Sequence, residues 1–181
     1  MLSPPGIGFV GCILALTLAG GGITAAPPLD EYYVKAGMAA NFASFVEWPA
    51  DAFRNPGEPL RICVLGRNPF GTSLGELAEG RTVDGHRLAV LPVGDVRQAE
   101  GCHILFVGAS EHLRLKSILE GLAHESVLTV GDTGDFIAEG GIVSLRVEDG
   151  NVRMEINAEA AKAKRLRISS RLLQLARNVK R

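Results

Sequence analysis

Two short apolar segments, each holding one cysteine, constrain the fold of this 181-residue chain more than any other feature. They cover residues 60–66 and 101–108, and they contain Cys63 and Cys102. Short apolar runs bounded by glycine or proline are typical of strands that are covered on both faces, as in a parallel sheet. A segment with a helical pattern follows each run. This alternation predicts an α/β fold in which right-handed crossovers join parallel strands.

The whole pattern predicts a single α/β domain: a mostly parallel sheet with helices on both faces, plus a C-terminal antiparallel β-hairpin and a closing helix. The hairpin turn is marked by Asp149 and Gly150, a pair that readily adopts the two-residue turn between antiparallel strands. We expect helices at residues 29–48, 68–79, 110–123 and 158–179. We expect strands at residues 60–66, 86–93, 103–107, 127–130, 142–147 and 152–156.

The N-terminal residues 1–26 resemble an export signal, so the folded domain is expected to span residues 27–181. Residues 7–23 are apolar residues, glycines and one threonine, and residues 24–26 offer a cleavage site of small side chains. The length of the apolar run also fits an uncleaved membrane anchor, but its glycines favour a signal peptide. We therefore expect an exported protein.

Export bears directly on the two cysteines of the mature chain. Extracytoplasmic compartments are oxidising, and paired cysteines there usually form disulfides. We therefore expect a bridge between Cys63 and Cys102. The alternative is a reactive Cys63 thiolate with His103 as its base. Burial of Cys63 in an apolar strand would raise the pKa of its thiol, which argues against this alternative.

The sequence offers no strong motif for catalysis, for a metal or for a cofactor. The loop at residues 66–71 lies where a phosphate loop would lie, but Thr72 replaces the expected lysine and Pro69 removes a backbone donor. The four histidines lack the close spacing of a metal site. Asp132 and Asp135 fit a glycine-bounded turn better than a pair of catalytic acids. We predict no enzyme, no cofactor and no metal, and the net charge of −1 argues against a nucleic-acid partner.

Residues 162–181 contain several Lys and Arg residues and no Asp or Glu, although the whole chain is nearly neutral. Such one-sided charge on a terminal helix fits a binding surface, a solvated helix face or attraction to anionic lipid headgroups. The candidate partner or ligand surface consists of Arg165, Arg167, Ser169 and Arg171.

Taken together, the segments resemble the YfiR family of exported regulators. The most specific matches are FVEWP at residues 45–49 and CHILF at residues 102–106. Further matches are VLTVGD at residues 127–132, EIN at residues 155–157 and ISSRLLQLA at residues 168–176. From the matching motifs we take as structural positions Asn41, Trp48, Pro49, Gly140, Gly141 and Asn157.

The resemblance implies a periplasmic α/β protein without catalytic activity and with a disulfide between Cys63 and Cys102. The best-known role in the family is to hold a membrane-bound diguanylate cyclase inactive by binding its periplasmic domain. Loss of that restraint raises cyclic di-GMP and promotes biofilm formation. Some relatives carry a second cysteine pair, whereas this sequence has no cysteine after Cys102.

Two hypotheses for the function follow. The first is a periplasmic regulator whose partner is the periplasmic domain of an inner-membrane signalling protein, with a diguanylate cyclase suspected and a homodimer also considered. The alternative is a small-molecule receptor of a sensor or transport system, because open α/β sheets bind ligands at the carboxyl ends of their strands. The loops at residues 66–71, 108–110 and 131–135 would line such a site.

Overall fold

The computed structural model describes residues 30–181 of the chain. The export signal predicted at residues 1–26 and residue 29, the first of the predicted first helix, lie outside the described residues. The described chain forms an eight-stranded sheet, a two-stranded ribbon and five α-helices.

The helices are α1 (Glu31–Phe42), α2 (Ser73–Ala78), α3 (Leu115–Gly121), α4 (Ala158–Ala163) and α5 (Ser170–Leu175). The strands are β1 (Val46–Glu47), β2 (Leu60–Leu65), β3 (Thr82–Val83), β4 (His86–Val93), β5 (Ile104–Val107), β6 (Leu128–Gly131), β7 (Val143–Glu148), β8 (Asn151–Asn157), β9 (Arg167–Ile168) and β10 (Asn178–Lys180). Short 3-10 segments cover Ala50–Ala52, Val96–Ala99 and Ala109–Arg114.

The large sheet has the strand order β10-β8-β7-β6-β5-β2-β4-β3. Its five central strands, from β4 to β7, are all parallel. Strand β8 runs antiparallel to β7, and β3 runs antiparallel to β4. Asp149 and Gly150 take φ angles of 51° and 72°, as the tight turn between β7 and β8 requires. The predicted mostly parallel sheet with a C-terminal hairpin is confirmed.

Apolar layers cover both faces of the sheet. Because successive side chains of a strand point to opposite faces, Ile62 and Val64 join the layer that contains residues of α1, α2, α4 and α5. Cys63 and Leu65 join the other layer, which contains residues of α3. The prediction of helices on both faces is therefore confirmed.

The first helix is shorter than predicted. Helix α1 ends at Phe42, and the residues that follow turn into β1, which pairs with β9. Pro49 disfavours helical backbone only at Trp48, so the pairing of β1 with β9 is what accounts for the earlier end. The pairing also places Val46 in the core, where it is 3% exposed. Trp48 consequently follows a strand and does not lie on the helix.

In place of the single closing helix predicted at residues 158–179, the structure has two short helices, α4 and α5. The residues between them and after α5 are not helical, so the prediction is wrong there. Arg165 has a φ of 59°, a left-handed conformation in the turn that separates α4 from β9. Ser169 then accepts a hydrogen bond from the backbone N of Leu172 at 3.3 Å and caps α5. Many residues of this segment favour a helix, but the pairing of β9 with β1 outweighs that local preference. Leu175, the last residue of α5, is 67% exposed.

Two further helix starts differ from the prediction. Pro69 lies in a loop, and α2 begins only at Ser73. Ser110 does not cap a helix, because its hydroxyl oxygen accepts a hydrogen bond from the backbone N of Arg67 at 2.9 Å. The 3-10 segment around Ser110 continues to the start of α3.

Candidate functional site

A disulfide joins Cys63 of β2 to Cys102, which lies two residues before β5. The Cα atoms are 6.0 Å apart, a usual separation for a disulfide. Cys63 is fully buried and Cys102 is 8% exposed. The bond is therefore part of the core layer beneath α3, and its position indicates a structural role.

His103 follows the disulfide and is buried among aromatic rings. The ring of Phe53 stacks on its imidazole at 4.3 Å between centroids, and Trp48 meets it edge-on at 6.0 Å. Its Nδ1 accepts a hydrogen bond from the backbone N of Arg61 at 3.1 Å, whereas Nε2, near the Ala52 backbone, makes no regular hydrogen bond. Burial is the main cause that lowers the pKa of His103 to about 4.

We expect His103 to make the fold sensitive to acid. Its pKa is about 4 in the folded state and about 6.5 in the unfolded chain, so the unfolded chain binds the proton first as the pH falls. The resulting stabilisation is complete above pH 6.5 and is lost as the pH falls from 6.5 to 4, by about 3 kcal/mol in total. Urea unfolding at neutral pH and at about pH 4.5 measures the loss.

The matched control for this prediction is His103→Asn. The amide oxygen of asparagine replaces Nδ1 as an acceptor for Arg61 but does not titrate. The variant is expected to be less stable at neutral pH and to lose less stability than the parent protein on acidification. Equal losses in both proteins would show that His103 does not carry the acid sensitivity.

Residues of the FVEWP segment and its surroundings connect α1 to the sheet. The Trp48 Nε1 donates a hydrogen bond to the carbonyl oxygen of His103 at 3.2 Å. The side-chain oxygen of Asn41 accepts one from Arg81 Nη2 at 3.0 Å. Pro49 directly precedes the 3-10 segment that leads towards β2. These contacts join the end of α1 and the segment after it to neighbouring parts of the fold.

The other motif positions shape the backbone around Phe136 and α4. A Cβ atom on Gly141 would lie 2.2 Å from Phe136 Cε1, so a larger residue does not fit there. Gly140 has a φ of 99°, which other residues rarely adopt. Asn157 caps α4, because its side-chain oxygen accepts a hydrogen bond from the backbone N of Ala160 at 3.0 Å.

The loops at the carboxyl ends of β2 and β5, where α/β sheets often bind ligands, contact each other directly. The Ser110 hydroxyl holds the two loops together through Arg67. A Cβ atom on Gly66 would lie 2.5 Å from that hydroxyl and 2.7 Å from Glu111 Oε1. Two of the three loops predicted to line a ligand site therefore pack against each other.

The third of these loops contributes Asp132 to a buried charge network. Lys35 Nζ lies 3.0 Å from Asp132 Oδ2 and 2.8 Å from Glu31 Oε1. Tyr32 donates a hydrogen bond to the same Asp132 oxygen at 3.1 Å. Burial opposes the charged form of Lys35, but its hydrogen bonds to the two carboxylates outweigh this effect and raise its pKa. The network fixes α1 to the carboxyl end of β6.

Two of the four residues of the predicted surface are engaged within the fold. Arg165 Nη1 lies 2.8 Å from Asp51 Oδ2, and Arg165 Nη2 donates to Ser126 Oγ at 3.2 Å. Ser169 caps α5, and its backbone N donates to the carbonyl oxygen of Phe45 at 2.8 Å. These contacts connect the C-terminal segment to the region around β1.

The other two residues, Arg167 and Arg171, are exposed. The Arg167 side chain is 84% exposed, and its Nη1 lies 3.8 Å from Glu47 Oε2, which is too long for a hydrogen bond. Arg171 is exposed and forms no salt bridge within residues 30–181. Among the four predicted surface residues, these two arginines are free to contact a partner.

A groove of about 450 Å³ lies between α1, β8 and α5, and we call it the C-terminal groove. Apolar side chains form most of its wall, and the exposed Leu175 belongs to it. Arg153 is exposed, and Arg177 pairs with Glu148. The groove is therefore an apolar surface with basic residues. Its lining residues are Met38, Asn41, Phe42, Phe45, Val152, Arg153, Met154, Leu172, Leu175 and Arg177.

Sequence reasoning missed the C-terminal groove because its walls come from three distant segments. A local signal existed in α5, where Leu172, Leu173 and Leu175 follow one another closely. A helix of six residues cannot direct all three leucines into one core. Leu172 is buried, Leu173 is partly buried and Leu175 faces solvent.

Within residues 30–181, no helix is long and apolar enough to cross a membrane. The same part of the chain contains no group of three or more His, Cys, Asp or Glu side chains placed to hold a metal ion.

Comparison with known proteins gives a family match and two similar folds. The family model DUF4154, described as YfiR/HmsC-like, matches residues 32–177. A conserved domain protein from Vibrio cholerae O1 biovar El Tor strain N16961 superposes with a TM-score of 0.50 and 15% identity, covering 66% of this chain and 54% of its own. The ABC domain in complex with L-Trp from Streptococcus pneumonia superposes with a TM-score of 0.53 and 9% identity, covering 80% of this chain and 60% of its own. This chain spans less than two thirds of either structure, and these identities indicate a shared fold alone.

Proposed function

Because this chain belongs to the YfiR/HmsC-like family, we propose that it is a periplasmic regulator that binds the periplasmic domain of an inner-membrane diguanylate cyclase and holds the enzyme inactive. Release of the cyclase raises cyclic di-GMP and promotes biofilm formation. In this proposal, residues 1–26 direct export and residues 27–181 act in the periplasm. The disulfide supports the proposed location, because such bonds persist in oxidising compartments.

The observation that carries the proposal is the C-terminal groove beside exposed arginines. Interfaces between proteins combine an apolar centre with a polar rim, and arginine is enriched in them. Leu175, at 67% exposure, offers an apolar contact that the folded chain leaves in solvent. Arg171 lies on the same short helix, and Arg153 lines the groove.

The charge of this surface indicates the chemistry of its occupant. Arg153 and Arg171 form no salt bridge within the described part of the chain. An occupant with apolar side chains and neighbouring carboxylates would fill the groove and pair with these cations. We therefore assign the groove to an acidic, amphipathic segment of the partner's periplasmic domain. Charges at the rim of such an interface chiefly raise the rate of association.

Reversing the two exposed arginines tests the surface. In a strain that lacks the gene, the variant with Arg153→Glu and Arg171→Glu is expected to leave cyclic di-GMP high, whereas the parent protein restores the low level. The reason is that introduced carboxylates repel the acidic partner. Cyclic di-GMP is measured by mass spectrometry, and the periplasmic amount of each variant is measured by immunoblotting.

The matched control changes the charge by the same amount elsewhere. Arg87 on β4 and Lys116 on α3 are exposed and form no salt bridge within residues 30–181. The variant with both residues changed to Glu is expected to restore the low level. Arg165 is left unchanged, because its ion pair with Asp51 belongs to the fold. Full repression by the Arg153 and Arg171 variant, or equal failure of the control, would overturn the assigned surface.

A small-molecule receptor remains the second candidate function. Its support is the volume of the C-terminal groove, about 450 Å³, which lies in the range of small-molecule sites. A ligand that co-purifies with the exported protein would favour this function. The homodimer considered from the sequence stays a prediction, and the molecular mass in solution measures it.

A further inference from the structure

A second cavity, of about 310 Å³, lies at the opposite edge of the fold and takes no part in the proposed regulation. It opens between the β1 region and the β3–β4 hairpin. We call it the hairpin cavity. Its lining residues are Ala43, Val46, Glu47, Trp48, Phe53, Leu60, Val83, Asp84 and His86.

The aromatic rings of the hairpin cavity are held in fixed positions. Phe53 stacks on His86 at 3.8 Å between centroids and on His103 at 4.3 Å. The Trp48 indole is anchored through its Nε1, which donates to the carbonyl oxygen of His103. Rings held in this way form a preorganised apolar wall, which lowers the entropic cost of binding.

The polar side chains of the cavity are acceptors. Glu47 and Asp84 carry carboxylates. The Nδ1 atom of His86 lies 2.6 Å from the carbonyl oxygen of Glu58, which only accepts, so Nδ1 carries the proton and Nε2 is an acceptor. The only N–H of the Trp48 side chain is already bonded. No Lys or Arg is among the lining residues, and the nearby Arg167 approaches Glu47 only to 3.8 Å.

We propose that the hairpin cavity binds a small organic ammonium ion that carries an apolar body. The ammonium group donates hydrogen bonds to the carboxylates, and it is attracted to the face of an indole ring. The apolar body contacts Val46, Leu60 and Val83. A neutral or anionic ligand of the same shape lacks a positive charge that can pair with Glu47 and Asp84.

Trp48 is the single tryptophan of the chain, so its fluorescence reports on this cavity directly. The exported protein is titrated at about pH 7.5 with phenethylamine, with the neutral analogue 2-phenylethanol and with the anion phenylacetate. We expect a saturable change in Trp48 fluorescence with phenethylamine only. Equal responses to the amine and the alcohol, or no saturable response to the amine, would overturn the proposal.

Two aspartates in equivalent turns provide a matched pair of variants. Asp84 and Asp149 each precede a glycine in a hairpin turn, with φ angles of 50° and 51°, and asparagine suits both positions. Asp84→Asn is expected to weaken phenethylamine binding roughly tenfold through loss of a charge-assisted hydrogen bond. Asp149→Asn, with the same change of charge, should leave the affinity unchanged. Equal effects of the two variants would place the binding site elsewhere and overturn the proposal.

Discussion

Replacing Lys35 with methionine is expected to lower the free energy of unfolding by about 3–5 kcal/mol, the usual effect of removing one partner of a buried ion pair. The Lys35 and Asp132 side chains are 3% and 4% exposed. Methionine fills a similar volume but leaves the Asp132 carboxylate buried with only the Tyr32 hydroxyl as a partner. Urea unfolding of the two proteins measures the difference.

Two further variants separate the charge effect from packing. Asp132→Asn should lower the free energy of unfolding by less than Lys35→Met does. In that variant the Lys35 ammonium keeps its bond to the Glu31 carboxylate, which is 42% exposed. The double variant should recover part of the loss, because it removes the uncompensated charge. Additive losses in the double variant, or an effect of Lys35→Met below about 1 kcal/mol, would contradict a buried pair.

The second large effect is expected from the disulfide. Changing both Cys63 and Cys102 to alanine should lower the free energy of unfolding by about 4 kcal/mol. The reason is that the bond joins residues 39 positions apart in sequence and so lowers the conformational entropy of the unfolded chain. Unfolding is followed with and without dithiothreitol. The reductant should destabilise the parent protein and leave the double alanine variant unchanged.

Thiol counting on the denatured proteins provides the control for the disulfide. The oxidised parent should expose no reactive thiol from Cys63 or Cys102, and two after reduction. Two free thiols in the exported parent protein would contradict the bond. Equal stability of the oxidised and fully reduced proteins would contradict its contribution to the fold.

The central sheet could be predicted because its signals are local. The apolar runs around Cys63 and Cys102 identified buried parallel strands, and Asp149 with Gly150 identified the hairpin. Each of these features depends on a few neighbouring residues. The predicted strand at residues 86–93 coincides with β4 as observed.

The errors arose where distant contacts override local preference. Residues 158–179 favour a helix by composition, yet Arg165 turns the chain so that β9 can pair with β1, more than a hundred residues away. The Lys35–Asp132 pair spans 97 residues of sequence, and neither residue alone indicates it. The C-terminal groove depends on the same long-range packing, so its position could not be read from local patterns.

The central claim is that this protein restrains a diguanylate cyclase, and cyclic di-GMP in the source bacterium tests it most directly. The level is measured in the parent strain, in a strain that lacks the gene, and in that strain with the gene restored. The account predicts a raised level in the deletion strain and a return to the parent level on restoration. An unchanged level in the deletion strain would contradict the account.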